Sequence, residues 1–80
     1  MELHLLDGQF DAIEASEIIA QLIQVKIKYH ENKIKSSHNE EDVKMRERKI
    51  KTLQKELAAS REYIQKQTNN LSINSVINLT

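Results

Sequence analysis

The sequence predicts a mainly α-helical protein: an antiparallel, coiled-coil-like hairpin of two long helices flanked by short N- and C-terminal β-strands. Three observations predict this fold class. Two stretches of more than 20 residues carry apolar side chains at helical spacing, the composition includes one glycine and no proline, and the last ten residues alternate between apolar and polar. Eighty residues suffice for a single domain, residues 1–80.

The first strand is predicted for residues 2–6, where three leucines form a short apolar segment. Asp7 and Gly8 follow, and an Asp-Gly pair is typical of a turn because glycine adopts conformations that other residues avoid. We therefore expect the strand to end at this pair.

The first helix is predicted for residues 12–35. Asp11 is a favourable N-cap, and Glu14 stands three positions later, as in a capping box. No helix breaker occurs before Lys35, so the helix should be about 36 Å long at 1.5 Å per residue.

The second helix is predicted for residues 40–68. Either Ser37 or Asn39 can cap it, because each has an acidic residue three positions later. Asn69 and Asn70 should end it, since asparagine tolerates the left-handed conformation common at helix C-termini.

Residues 71–79 alternate with period two, which predicts a second strand with one apolar face. The short connection between the helices is typical of an antiparallel hairpin, so the two strands can meet at its open end. Because two strands alone are marginally stable in water, the pattern leaves open whether they pair within one chain or between chains.

Two apolar stripes run along the first helix. One has coiled-coil spacing and is expected to form the seam within the chain. In this seam Ile18, Leu22 and Val25 of the first helix pack against four residues of the second: Ile50, Leu53, Leu57 and Ile64. The other lies about 120° around the helix. It is expected to form a subunit interface: Ile19, Ile23, Ile27 and Ile34. An exposed row of isoleucines promotes association, so we expect a homodimeric four-helix bundle.

The charges divide the chain into segments. Residues 1–25 hold five acidic residues and no Lys or Arg, and residues 26–55 hold ten basic and five acidic residues, although the whole chain has a net charge of zero. Antiparallel packing of two hairpins would bring the acidic end of one against the basic half of the other. An antiparallel homodimer is therefore favoured.

A line of basic residues follows one face of the second helix: Lys44, Arg48, Lys51 and Lys55. Such a line can follow a phosphate backbone, so nonspecific RNA or DNA binding is an alternative function. An ordinary solvated helix face has the same pattern, and the zero net charge and the lack of interleaved aromatic residues favour this simpler interpretation.

Several classes of site are not expected. The chain has no cysteine, and none of its three histidines has another at the i+3 or i+4 spacing of paired metal ligands, so we predict no metal and no cofactor. Catalytic residues are also not predicted, because a thin hairpin has few concave places where titratable groups converge.

No apolar run approaches the roughly 18 residues that span a bilayer, and the first residues lack the basic charge typical of a signal peptide. We expect a cytoplasmic protein without a membrane partner.

One set of features supports the architecture as a whole: Leu3-His4-Leu5-Leu6-Asp7-Gly8-Gln9-Phe10, Glu14-Ala15, Ile18-Ile19, Lys26-Ile27, His30 and Ser36-Ser37. In these features the chain resembles a group of small uncharacterised bacterial proteins of similar length. They share the order strand, Asp-Gly turn, long helix, serine-containing connection, second helix and terminal strand. The resemblance covers nearly the whole chain and implies the fold, and it carries over no activity and no functional residue.

The leading functional hypothesis is a non-enzymatic homodimeric hairpin that acts as a small protein-interaction or regulatory module. A nonspecific nucleic-acid binder is the alternative. A third hypothesis is an accessory protein of phage or plasmid origin that binds and masks another, larger protein.

Overall fold

A computed structural model describes all 80 residues and contains four elements. They are β1 (Glu2–Phe10), α1 (Ala12–Ser36), α2 (Glu40–Gln65) and β2 (Leu71–Asn78). This confirms the predicted mainly helical chain with the order strand, helix, helix, strand. His30 of α1 contacts Arg46 of α2 near the connection, and Ala15 shares a groove with Ile64 at the other end. The two helices therefore run antiparallel.

The N-terminus of α1 is closed by the predicted capping box. A side-chain oxygen of Asp11 accepts the backbone N–H of Glu14 at 2.8 Å, and a side-chain oxygen of Glu14 accepts the N–H of Asp11 at 3.2 Å. These reciprocal bonds satisfy donors that the first helical turn leaves without partners. The helix ends at Ser36, one residue beyond the prediction.

Asn39 caps α2. Its side-chain oxygen accepts the N–H groups of Glu41 and Asp42 at 2.9 and 3.2 Å. The hydroxyl of Ser37 instead accepts the N–H of Asn39 at 3.2 Å, so this serine stabilises the connection between the two helices. Of the two predicted caps, Asn39 is the correct one.

The end of α2 differs from the prediction, because the helix stops at Gln65 rather than at residue 68. The N–H groups of Lys66 and Gln67 bond to carbonyls three residues back, which satisfies the last turn in a tighter geometry. No residue has a positive φ, so the prediction of a left-handed ending at Asn69 and Asn70 is wrong.

The two strands pair antiparallel within the chain, from Glu2 opposite Asn78 to Phe10 opposite Leu71. The predicted turn at residues 7 and 8 is therefore wrong, because Gly8 lies inside β1 opposite Ile73 without a positive φ. Pairing with all of β2 outweighs the local turn preference.

A register shift between His4 and Leu6 leaves Leu5 without a partner, as in a β-bulge. Beyond the bulge one face of the sheet is half-buried and formed by three cross-strand pairs: Leu6 with Ser75, Gly8 with Ile73, and Phe10 with Leu71. The far half of the sheet carries exposed apolar side chains: Leu3, Leu5, Val76, Ile77 and, just past β2, Leu79. That half of the sheet has little cover from the helices.

The core is small and lies between the helices. Its buried members are Ala15, Ile27 and His30 from α1 and Leu53, Leu57 and Ile64 from α2. The predicted seam is correct for α2, where Ile50 is also half-buried. In α1 it is wrong for Leu22 and Val25, because Val25 is 69% exposed and Leu22 is also exposed, whereas Ile18 is half-buried. Both stripes of α1 have helical spacing, and α2 covers the one that contains Ile27.

The molecule is flat. Its extents are 47 × 33 × 13 Å, and the smallest is close to the 10–12 Å diameter of one helix with its side chains. No large side chain is completely buried. Neither helix combines the length and apolar character needed to cross a bilayer.

Candidate functional site

The densest polar contacts surround Arg46 near the helix connection. Its Nη1 donates to Nδ1 of His30 at 3.1 Å, and its Nε donates to a carboxylate oxygen of Asp42 at 3.2 Å. The guanidinium carbon lies 5.8 Å from the ring centroid of Tyr29, within cation–π range. Arg46 thus joins α2 to α1.

His30 is a buried imidazole, 6% exposed, in a positive environment. Because a guanidinium can only donate, Nδ1 of His30 accepts from Arg46, and the neutral ring carries its proton on Nε2. Burial, followed by the positive charges of Arg46, Lys49 and Lys26, lowers the pKa of His30 below its ordinary value of 6.5. The ring is therefore mainly neutral at pH 7.

Asp42 completes this cluster. The nearby side chain of Ser37, followed by the hydrogen bond and the charge of Arg46, lowers the pKa of the Asp42 carboxyl below its ordinary value. Asp42 also stands in the first turn of α2, where the helix dipole favours negative charge. Its carboxylate balances the partly buried guanidinium at neutral pH.

A cleft of about 450 Å³ opens between the helices beside this cluster. Lys26 and His30 line it from α1, and Arg48, Lys49 and Thr52 are among the residues that line it from α2. Its charged lining is mostly basic, so the cleft is suited to anionic groups.

A second, apolar groove of about 620 Å³ lies where β2 meets the helices. Ala15 and Ile19 line it from α1, Tyr63 and Ile64 from α2, and residues 71–74 from β2. It is suited to burying apolar side chains.

The four predicted interface residues lie on the side of α1 that also carries the buried His30. Ile27 is 6% exposed and has almost no surface left for a second chain, whereas Ile19, Ile23 and Ile34 are half-buried. The subunit interface itself stays a prediction.

The predicted nucleic-acid residues Lys44, Arg48, Lys51 and Lys55 are all exposed on α2. Lys44 lies 3.9 Å from Glu40, and the other three form no ion pair. Arg48 also lines the basic cleft, so the helix face and the cleft adjoin.

Sequence reasoning missed the contact between His30 and Arg46. A signal was present, because Arg46 occupies a position in the apolar seam of the second helix and His30 flanks the isoleucine stripe of the first. Two polar residues on facing apolar stripes indicate a partnership. No group of three His, Cys, Asp or Glu side chains is arranged to hold a metal ion.

Comparisons of the chain with protein-family models, with curated proteins and with solved structures found no match. The resemblance to small bacterial proteins therefore stays a prediction.

Proposed function

We propose that the protein is a non-enzymatic helical hairpin that associates with a second copy of itself and acts as a small interaction or regulatory module. Support comes from its shape. Globular domains bury their apolar faces between at least two layers of secondary structure, and this chain is 13 Å thick, a single layer. A second copy would supply the second layer.

The exposed area supports the same proposal. A compact monomer of 9.3 kDa is expected to expose about 5,000 Å², and this chain exposes 6449 Å². The excess of about 1,500 Å² exceeds the roughly 800 Å² that each partner contributes to an ordinary stable interface. Only six of the 80 residues are buried, so the chain's own core is small for independent stability.

Because α2 covers the stripe that contains Ile27, we assign this contact to the uncovered stripe of α1 and no longer to the four isoleucines predicted from the sequence. Leu22, Val25 and Tyr29 follow one another at helical spacing and are all exposed. The apolar far half of the sheet adds a second uncovered area. Antiparallel packing would also bring the acidic residues 1–25 of one chain near the basic residues 26–55 of the other.

Sedimentation velocity over a wide concentration range tests the proposal. The wild-type chain should sediment with the mass of two chains, and Leu22→Glu with Val25→Glu should shift the equilibrium to monomers, with circular dichroism recording how much helix the separated chains keep. Ile13→Glu is the matched control, because Ile13 is 74% exposed on α1 outside this stripe. A folded wild-type monomer at every concentration would overturn the proposal.

Nonspecific nucleic-acid binding is the second candidate. The observation that favours it is the exposed line Lys44, Arg48, Lys51 and Lys55, of which only Lys44 has an acidic partner. Affinity for RNA or DNA should fall steeply with salt, and Lys51→Glu should weaken it and reduce the salt dependence. Lys28→Glu, on the other helix, is the control. Absence of binding at low salt would exclude this function.

A further inference from the structure

The basic cleft between the helices brings together cations that lack acidic partners. Lys26, Arg48 and Lys49 line it, and none forms an ion pair within 4.0 Å. Arg48 uses its Nε to donate to the carbonyl of Lys44 at 3.4 Å, and its terminal nitrogens form no hydrogen bond. Glu56 is the one acidic residue in the lining, so a net positive charge remains.

His30 adds a directed donor to this lining. Its Nδ1 is occupied by Arg46, so the proton of the neutral ring is on Nε2, which has no partner within the chain. No buried polar side-chain atom lacks a hydrogen-bond partner, so Nε2 retains contact with solvent, and His30 lines the cleft. The ring is otherwise buried, which holds this N–H in a defined position.

Positive charge and fixed donors together are the chemistry of an oxyanion site. Guanidinium, ammonium and imidazole N–H groups all donate to phosphate oxygens, and Arg matches two oxygens at once. The neighbouring hydroxyl of Thr52 donates to the carbonyl of Arg48 at 3.1 Å, so its oxygen is oriented but adds no free proton. The donors available to a ligand are therefore those of Lys26, His30, Arg48 and Lys49.

We propose that this cleft binds a phosphate group, with His30 Nε2–H as a donor positioned by the buried part of its ring and with Lys26, Arg48 and Lys49 as the surrounding cations. The group is either free inorganic phosphate or the phosphoryl end of a small phosphate ester, because both present the same oxygens. This site adjoins the surface of α1 assigned to self-association, because the ring centroids of Tyr29 and His30 are 5.3 Å apart.

Nuclear magnetic resonance titration of the whole protein tests the site. Inorganic phosphate and O-phosphoserine are added separately at constant ionic strength, with chloride as the balancing anion. Saturable shifts should appear at residues 26–30 and 45–56, and phosphate should raise the pKa of His30 relative to chloride, since an anion stabilises the imidazolium. Shifts with phosphoserine alone would identify an ester as the ligand, and shifts with both would identify the phosphate group itself.

Matched variants complete the test. Lys26→Gln and Lys49→Gln should each weaken binding by about fivefold, because each removes one charge from the cleft. Lys28→Gln on the same helix should leave binding unchanged. Identical titrations with phosphate and chloride, or equal effects of Lys28→Gln and Lys26→Gln, would overturn the proposal.

Discussion

The side chain of Arg46 donates a hydrogen bond to Nδ1 of His30, with 3.1 Å between the two nitrogens, and it is the one side-chain hydrogen bond that joins α1 to α2. The other buried side chains between the helices are apolar. Apolar seams of this kind tolerate sliding, whereas a single polar pair sets the register. We therefore expect this pair to fix how the two helices align.

Replacing Arg46 with methionine tests this pair. The variant keeps an unbranched side chain but removes the donors to His30 and Asp42, so the free energy of unfolding should fall by about 1–3 kcal/mol. Lys44→Met is the control, because it removes an exposed ion pair and should cost less than about 0.5 kcal/mol. Urea unfolding at one protein concentration measures both. Equal losses would contradict the structural role of Arg46.

His30 should make stability depend on pH. Its pKa is lowered in the folded chain, so the unfolded chain binds more protons between that lowered pKa and 6.5. The contribution of the neutral His30 to the free energy of unfolding is fully present above pH 6.5. It is lost as the pH falls towards the pKa of His30 in the folded chain. His30→Gln should reduce the change of melting temperature with pH in this window, whereas His38→Gln, in the exposed connection, should leave that change as it is. A wild-type melting temperature that rises on acidification from pH 6.5 would contradict the lowered pKa.

Two isoleucines of α1, one buried and one exposed, test which side of the helix packs against α2. Ile27→Ala should cost about 2–5 kcal/mol, because it leaves a cavity beside α2. Ile13→Ala removes the same atoms from an exposed position and should be neutral or slightly stabilising, since alanine favours the helix. Chemical denaturation of the two variants compares them directly. A larger loss at position 13 would mean that the packing of α1 is assigned to the wrong side.

Gly8 offers a test of the strand that replaced the predicted turn. It is extended, has no positive φ, and a Cβ placed on it would meet no atom within 4 Å. Gly8→Val should therefore stabilise the protein by about 0.5–1 kcal/mol, by restricting the unfolded chain and favouring the strand. Gly8→Ala should give part of this gain. Destabilisation by both substitutions, measured by thermal unfolding, would contradict the strand at Gly8 and support the turn predicted from the sequence.

Helix positions were predictable because their signals are local. The capping box of Asp11 and Glu14 and the cap at Asn39 act over three residues, and the long stretches without glycine or proline leave helix as the favoured state. The seam residues Leu53, Leu57 and Ile64 follow from helical periodicity alone.

Parts of the candidate site were predictable and parts were not. The basic residues of α2 were visible in the sequence, but the cleft also needs Lys26 and His30 from α1. These lie about 20 residues away in the chain and come close only when the hairpin closes. Spacing within one helix carries no information about which residues of another helix will face it.

By itself, the sequence determined the order of elements, the helix starts and the antiparallel hairpin, because caps and periodicity depend on near neighbours. Only the tertiary structure decided which stripe of α1 is covered and that β1 continues through Gly8. Both depend on a distant partner: α2 covers the stripe that contains Ile27, and β2 supplies hydrogen bonds that outweigh a local turn preference. Contacts between residues far apart in the chain thus overruled the local pattern at Gly8 and decided which stripe of α1 is covered.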